Sequence, residues 1–122
     1  MTVLMLGKHL ELGLYRAKYL INHGFTVIFP QSRQEAVAAV NAGAYDLVVL
    51  SYSLSHDAAM ELRELIDQSR PHCPIIALTE SRWHDGKIKS DKVVLVSAGP
   101  EALLDAIRSF ESKNGSGLRQ VN

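Results

Sequence analysis

The sequence predicts an open α/β sheet of five parallel strands, doubly wound so that helices cover both faces. Two observations carry this. Short apolar runs rich in β-branched residues and lacking a helical period recur at Thr2–Leu6, Phe25–Phe29, Asp46–Leu50, Ile75–Leu78 and Val93–Val96, as strands buried on both faces do. Amphipathic helical stretches or helix-like connections separate these runs and a helix follows the last, and such alternation demands right-handed crossovers and a parallel sheet.

Thr2–Leu6 is an apolar run closed by Gly7. Leu10, Leu14, Ala17 and Ile21 then recur at four, three and four residues, the stripe of a helix stopped by Gly24. Leu12, Tyr15 and Tyr19 form a second apolar row on that helix. Amphipathic cover explains this row most simply, and a partner surface is the functional alternative. After the second strand and Pro30, Ser32 and Glu35 have the spacing of a capping box, with Ala36, Val37 and Val40 as the buried stripe and Gly43 as the stop.

The stretch Tyr45-Asp46-Leu47-Val48-Val49-Leu50-Ser51 reads as the central strand, ending in the polar Ser51-Tyr52-Ser53. Ser55 can cap a helix with apolar positions Ala58, Ala59, Leu62, Leu65 and Ile66, stopped by Arg70-Pro71. Pro74 introduces the fourth strand, which ends at Thr79. Ser81 to Asp91 has no apolar period and is expected to be a loop or a turn or two of helix. Gly99-Pro100 opens the last helix, whose Leu103, Leu104, Ile107 and Phe110 face the sheet. Residues 1–112 form one domain, and 113–122, with Asn-Gly-Ser-Gly, read as a flexible tail or the start of a linker.

Composition narrows the function. The 122 residues suffice for one core. Thirteen basic and thirteen acidic residues give zero formal charge, hence no global field toward nucleic acid or anionic membrane. The single cysteine, Cys73, excludes an internal disulfide and a multi-thiolate metal site. With Met1 to Leu6 too short for a leader or a span, a cytoplasmic protein is expected. His9, His23, His56, His72 and His84 are scattered, with no metal-ligand spacing on one helix. His56 and Asp57 follow Ser51 to Ser55, but neighbours in a first helical turn diverge, which argues against a hydrolase triad. Gly7-Lys8-His9-Leu10 is no phosphate loop, which argues against nucleotide or flavin.

From Val3 to about Glu111 the chain resembles a response-regulator receiver domain, a flavodoxin-like module that takes a phosphoryl group on an aspartate. The resemblance rests on Tyr45 to Leu50, Leu54, Met60-Glu61-Leu62-Arg63-Glu64-Leu65, Pro74-Ile75-Ile76-Ala77-Leu78-Thr79, and Pro100 with Leu103, Leu104 and Ile107. It implies strand order 2-1-3-4-5. The departures lie at the chemistry. The acidic pair that holds magnesium in that family corresponds to Gly7 and Lys8, the phosphoacceptor aspartate to Ser51, and the lysine before the last helix to Gly99. The proline four residues after the acceptor is Ser55, the following glycine is Ala59, and the fifth-strand aromatic falls at Val96. Of the pocket, the hydroxyl of Thr79 remains.

Magnesium requires oxygen ligands, normally including one or two carboxylates, and a serine hydroxyl needs an adjacent base to act as a nucleophile. Neither requirement is met. The sequence therefore predicts a pseudo-receiver with a vestigial pocket at Gly7, Lys8, Ser51, Thr79 and Gly99, no catalytic residue, no metal and no cofactor. It would act through a protein partner or a homodimer, with an output domain or a kinase-pathway protein as candidate partners, with no membrane, and with nucleic acid not expected to be bound by this domain alone. The resemblance implies a partner surface from Trp83 to Phe110, including Val96 and Leu104. The alternative is a small-anion or metabolite sensor built on Lys8, Ser51, Thr79 and Ser81.

Overall fold

A computed structural model describes residues 1–8, 10–80 and 90–121, with side chains at all of these except Leu10 and 112–121. Five strands, β1 (Thr2–Leu6), β2 (Thr26–Ile28), β3 (Leu47–Ser51), β4 (Ile75–Thr79) and β5 (Lys92–Leu95), form one sheet in the order β2-β1-β3-β4-β5. Every pairing is parallel, and β1 meets β3 from Val3 opposite Leu47 to Leu6 opposite Leu50. Among the described residues four helices accompany them: α1 (Leu10–Asn22), α2 (Arg33–Ala42), α3 (His56–Ser69) and α4 (Pro100–Val121).

The unbroken apolar runs resolve into two faces because successive strand side chains alternate. Val3 and Met5 of β1, Val49 of β3, and Ile76 and Leu78 of β4 pack with α1 and with Leu103, Leu104 and Ile107 of α4. Leu4, Leu6, Val48, Leu50 and Ile75 pack on the other face against Ala36 and Val40 of α2 and Leu62 and Ile66 of α3. The order reverses between β1 and β3, so the crevice beyond their carboxyl ends is the switch point where doubly wound folds place ligands.

Local chemistry sets the helix ends as expected. Ser32 accepts a hydrogen bond from the Glu35 amide at 3.1 Å, and Ser55 accepts one from the Ala58 amide at 3.2 Å. The Glu35 carboxylate reaches back to the amide of Gln31 rather than to that of Ser32. Gly43 ends α2 at φ 69°, a left-handed conformation that glycine adopts without strain.

Three expectations need correction. Strand ends drift: β2 excludes Phe25 and Phe29, and Val96 belongs to a 3₁₀ turn, Val96–Ala98, rather than to β5. The buried face of α1 is Gly13, Arg16, Ala17 and Leu20, whereas Leu14 and Ile21 of the predicted stripe are 47% and 53% exposed. The reason is steric. The Phe29 ring lies where any side chain at position 13 would go, so it packs on bare helix backbone at Gly13 and turns that face inward. The third concerns Leu104, expected on a partner surface but 4% exposed and part of the core.

The last helix continues to Val121 and takes in most of 113–122. Most of the predicted loop, 81–89, including Ser81 and Trp83, lies outside the described residues.

Candidate functional site

Gly7 follows β1 and Ser51 ends β3, and the register of this central pair brings them side by side. A Cβ at position 7 would lie 2.9 Å from the Ser51 Cβ and 3.0 Å from the Ser53 Oγ. Glycine is required by this close approach rather than by an unusual backbone angle. Ser53 ties the loops together: its hydroxyl accepts a hydrogen bond from the Lys8 amide at 2.8 Å and donates to Ser51 Oγ at 3.1 Å. The Ser53 amide also donates to Ser51 Oγ at 3.3 Å. Ser51 thus serves as an acceptor that shapes the turn, and no histidine or carboxylate bonds to it among the described residues.

Of the predicted pocket, Gly7, Lys8 and Ser51 come together. Thr79 ends the neighbouring β4, and Gly99 follows the 3₁₀ turn with φ 83°. Ser81 lies outside the described residues. The resident divalent cation of the resembled family does not fit these residues. A carboxylate at position 7 would meet Ser51 before reaching a metal, and Lys8 brings a positive charge. No group of three or more acidic, histidine or cysteine side chains able to hold a metal occurs among the described residues.

Sequence reasoning missed two residues here. Ser53 is signalled by its position two residues after Ser51, a spacing at which hydroxyls bond to local backbone. Arg16 carried no such signal. It is the buried charged residue of the core, 9% exposed, with no hydrogen bond or ion pair among the described residues. It lines a void of about 10 Å³ together with Ser51, Ser53 and Phe29. That volume admits about one water molecule.

A much larger cleft, about 500 Å³, lies on the α2/α3 side of the same crevice. Leu6, Phe29, Leu54 and Leu62 give it an apolar wall, and Lys8, Gln31, Ser32, Arg33 and Glu61 supply polar groups. Arg33 at the start of α2 and Glu61 of α3 form an ion pair across it. The Arg33 hydrogen bond holds the Glu61 carboxyl below its usual range, and the guanidinium is correspondingly raised. Ser51 and Thr79 do not line this cleft.

No family model matches the chain, and no curated protein matches it with significance. Solved structures do resemble it. A CheY-like receiver domain protein from Methanospirillum hungatei superposes with a TM-score of 0.79 at 16% identity, covering 95% of this chain and 97% of the other. The response regulator TrrA of Thermotoga maritima, solved with Mg²⁺ and beryllofluoride, gives 0.75 at 19% identity, covering 88% and 96%. Chemotaxis protein CheY4 of Vibrio cholerae gives 0.73 at 17% identity, covering 88% and 96%. The parallel sheet of order 2-1-3-4-5 with its flanking helices is the CheY-like, flavodoxin-type fold of receiver domains.

Proposed function

We propose that this chain is a pseudo-receiver: a non-enzymatic module of two-component signalling that works in the cytoplasm through protein contact or self-association, without phosphorylation at the end of β3. The observation that carries this reading is the approach of Gly7 to Ser51 and Ser53, which leaves no space for a carboxylate at position 7. Lys8 and Ser51 add none, so the carboxylates that would hold a metal and accept a phosphoryl group have no counterpart at these positions. A contact role is further supported by α1, whose Leu12, Leu14, Tyr15 and Ile21 are all more than 40% exposed, an apolar exposure of the kind that marks interaction sites. Val96 and Phe110 are half-buried against the core and would contribute at the margin of a second contact. With 1–112 as the receiver-like unit, 113–122 is where an output domain would be joined.

A small-anion sensor at Lys8, Ser51 and Thr79 is the alternative. Lys8 lines the larger cleft, which neither Ser51 nor Thr79 lines, so the three groups do not share one cavity and the first reading is better supported.

The test is titration of the ¹⁵N-labelled protein with Mg²⁺ and then beryllofluoride, which mimics an acyl phosphate. The amides of residues 51–54 and 79 should not move. A saturable, Mg²⁺-dependent shift at those amides would overturn the proposal.

A further inference from the structure

We infer that the cleft between β1, the β2–α2 loop, α2 and α3 is a binding site for a small amphiphile: a compact apolar or aromatic body carrying one anionic group. This inference is independent of the signalling reading, because the cleft neither includes Ser51 nor requires a partner protein.

Size is the first argument. About 500 Å³ lies within the range of pockets that enclose small molecules, roughly 300–1,000 Å³. The second is the lining. Leu6, Phe29, Leu54 and Leu62 form an apolar wall, the surface on which an apolar body loses contact with water.

Charge completes the description of the occupant. Among the described residues lining the cleft and the void behind it, the charged groups are Lys8, Arg16, Arg33 and Glu61, three cations against one carboxylate. Arg33 and Glu61 satisfy each other. The side chains of Lys8 and Arg16 have no ion-pair partner among the described residues. Arg16 does not line the cleft itself but the smaller void, which shares Leu6, Gly7 and Phe29 with it, so its charge adds to the potential from behind that shared wall. Gln31, Ser32 and Arg33 place the amino end of α2 at the cleft, where the helix dipole adds to the positive potential. An anionic group would therefore sit at the Lys8 side of the mouth, with the apolar body against Leu54 and Leu62.

Two probes that share an aromatic body separate these contributions. 1-Anilinonaphthalene-8-sulfonate has the anion, and N-phenyl-1-naphthylamine lacks it. Fluorescence titration of the folded chain should show saturable one-to-one binding of the sulfonate, with the neutral amine weaker by about fivefold or more. Lys8→Glu, an exposed change, should weaken the sulfonate by about the same factor and leave the amine unchanged. Ala58→Trp, which fills the cleft from α3, should abolish both while circular dichroism stays native. Equal affinity for the two probes, or a sulfonate affinity indifferent to Lys8→Glu, would overturn the inference. So would undiminished binding to a folded Ala58→Trp protein, and if that variant does not fold, Lys8→Glu decides alone.

Discussion

The two edges of the sheet use charge in opposite ways. At the amino edge, where the strands begin, two aspartates hold backbone. Asp46 accepts a hydrogen bond from the Thr2 amide at 2.8 Å, and its own amide donates to the Thr2 carbonyl at 2.8 Å. Asp91 repeats the arrangement with Ile75, at 2.8 Å in both directions. At the carboxyl edge lie Gly7, two serine hydroxyls, Lys8 and the buried Arg16, and among the described residues no carboxylate bonds to the serines. The chain has thirteen acidic residues in all, so the lack of a carboxylate at positions 7, 8 and 51 is one of placement, not of composition. Asp46 and Asp91 fasten strands together, whereas the positions around Ser51 at the other edge, 7, 8 and 53, carry a glycine, a cation and a hydroxyl.

The largest expected effect comes from forcing an acid into the cationic edge. Gly7→Asp puts a Cβ against Ser51 and Ser53, an overpacking that costs about 2–3 kcal/mol. For a domain of this length that lowers Tm by roughly 10 °C. A Gly7→Asp protein that melts like the wild type and binds Mg²⁺ would show that the two edges are interchangeable. Removing an acid from the other edge comes next. Asp91→Ala leaves the Ile75 amide without its charged acceptor and should cost about 1–2 kcal/mol in urea unfolding; an unchanged midpoint would mean that the aspartate is ornamental.

The smallest effect sharpens the comparison through pH. At the amino edge the Cys73 thiol donates to the carbonyls of Asp46 and Pro74, and burial pushes its pKa up to about 11 from 9.0, with Asp46 and Asp91 adding to the rise and Arg70 and Arg63 opposing it. The folded protein thus holds this proton more tightly than the unfolded chain. Stability from the thiol is complete below pH 9 and is lost as pH rises from 9 toward 11. The half-exposed sulfur is screened by solvent, which limits the loss to about 1 kcal/mol. Cys73→Ser should flatten the stability profile across that interval, and an identical slope in both proteins would refute the assignment.

The fold was legible because parallel strands buried on both faces appear as runs, and Leu47 to Leu50 cannot be mistaken for an amphipathic helix. The serine caps of α2 and α3 were legible because capping is local chemistry. The inward face of α1 was not. A glycine has no hydropathy to contribute and an arginine counts as polar, so Gly13 and Arg16 both escaped a pattern built on apolar spacing, although both are buried. Of the crevice, Gly7, Lys8 and Ser51 could be placed from the strand ends, since parallel topology dictates which ends meet. The 500 Å³ cleft could not, because its walls come from β1, the β2–α2 loop, α2, the loop after β3 and α3, and no single stretch of sequence records a space between them.

Asp46 and Asp91 also bear on alignment. An antiparallel hairpin inherits its register from a tight turn, but strands joined by long crossovers have no such guide, and a slip of one position would send every core side chain to the wrong face. Each aspartate clasps the first residue of a neighbouring strand through two bonds at once, a fit that one offset alone satisfies. Two short side chains thereby act as indexing pins for a sheet whose strands are strangers in sequence.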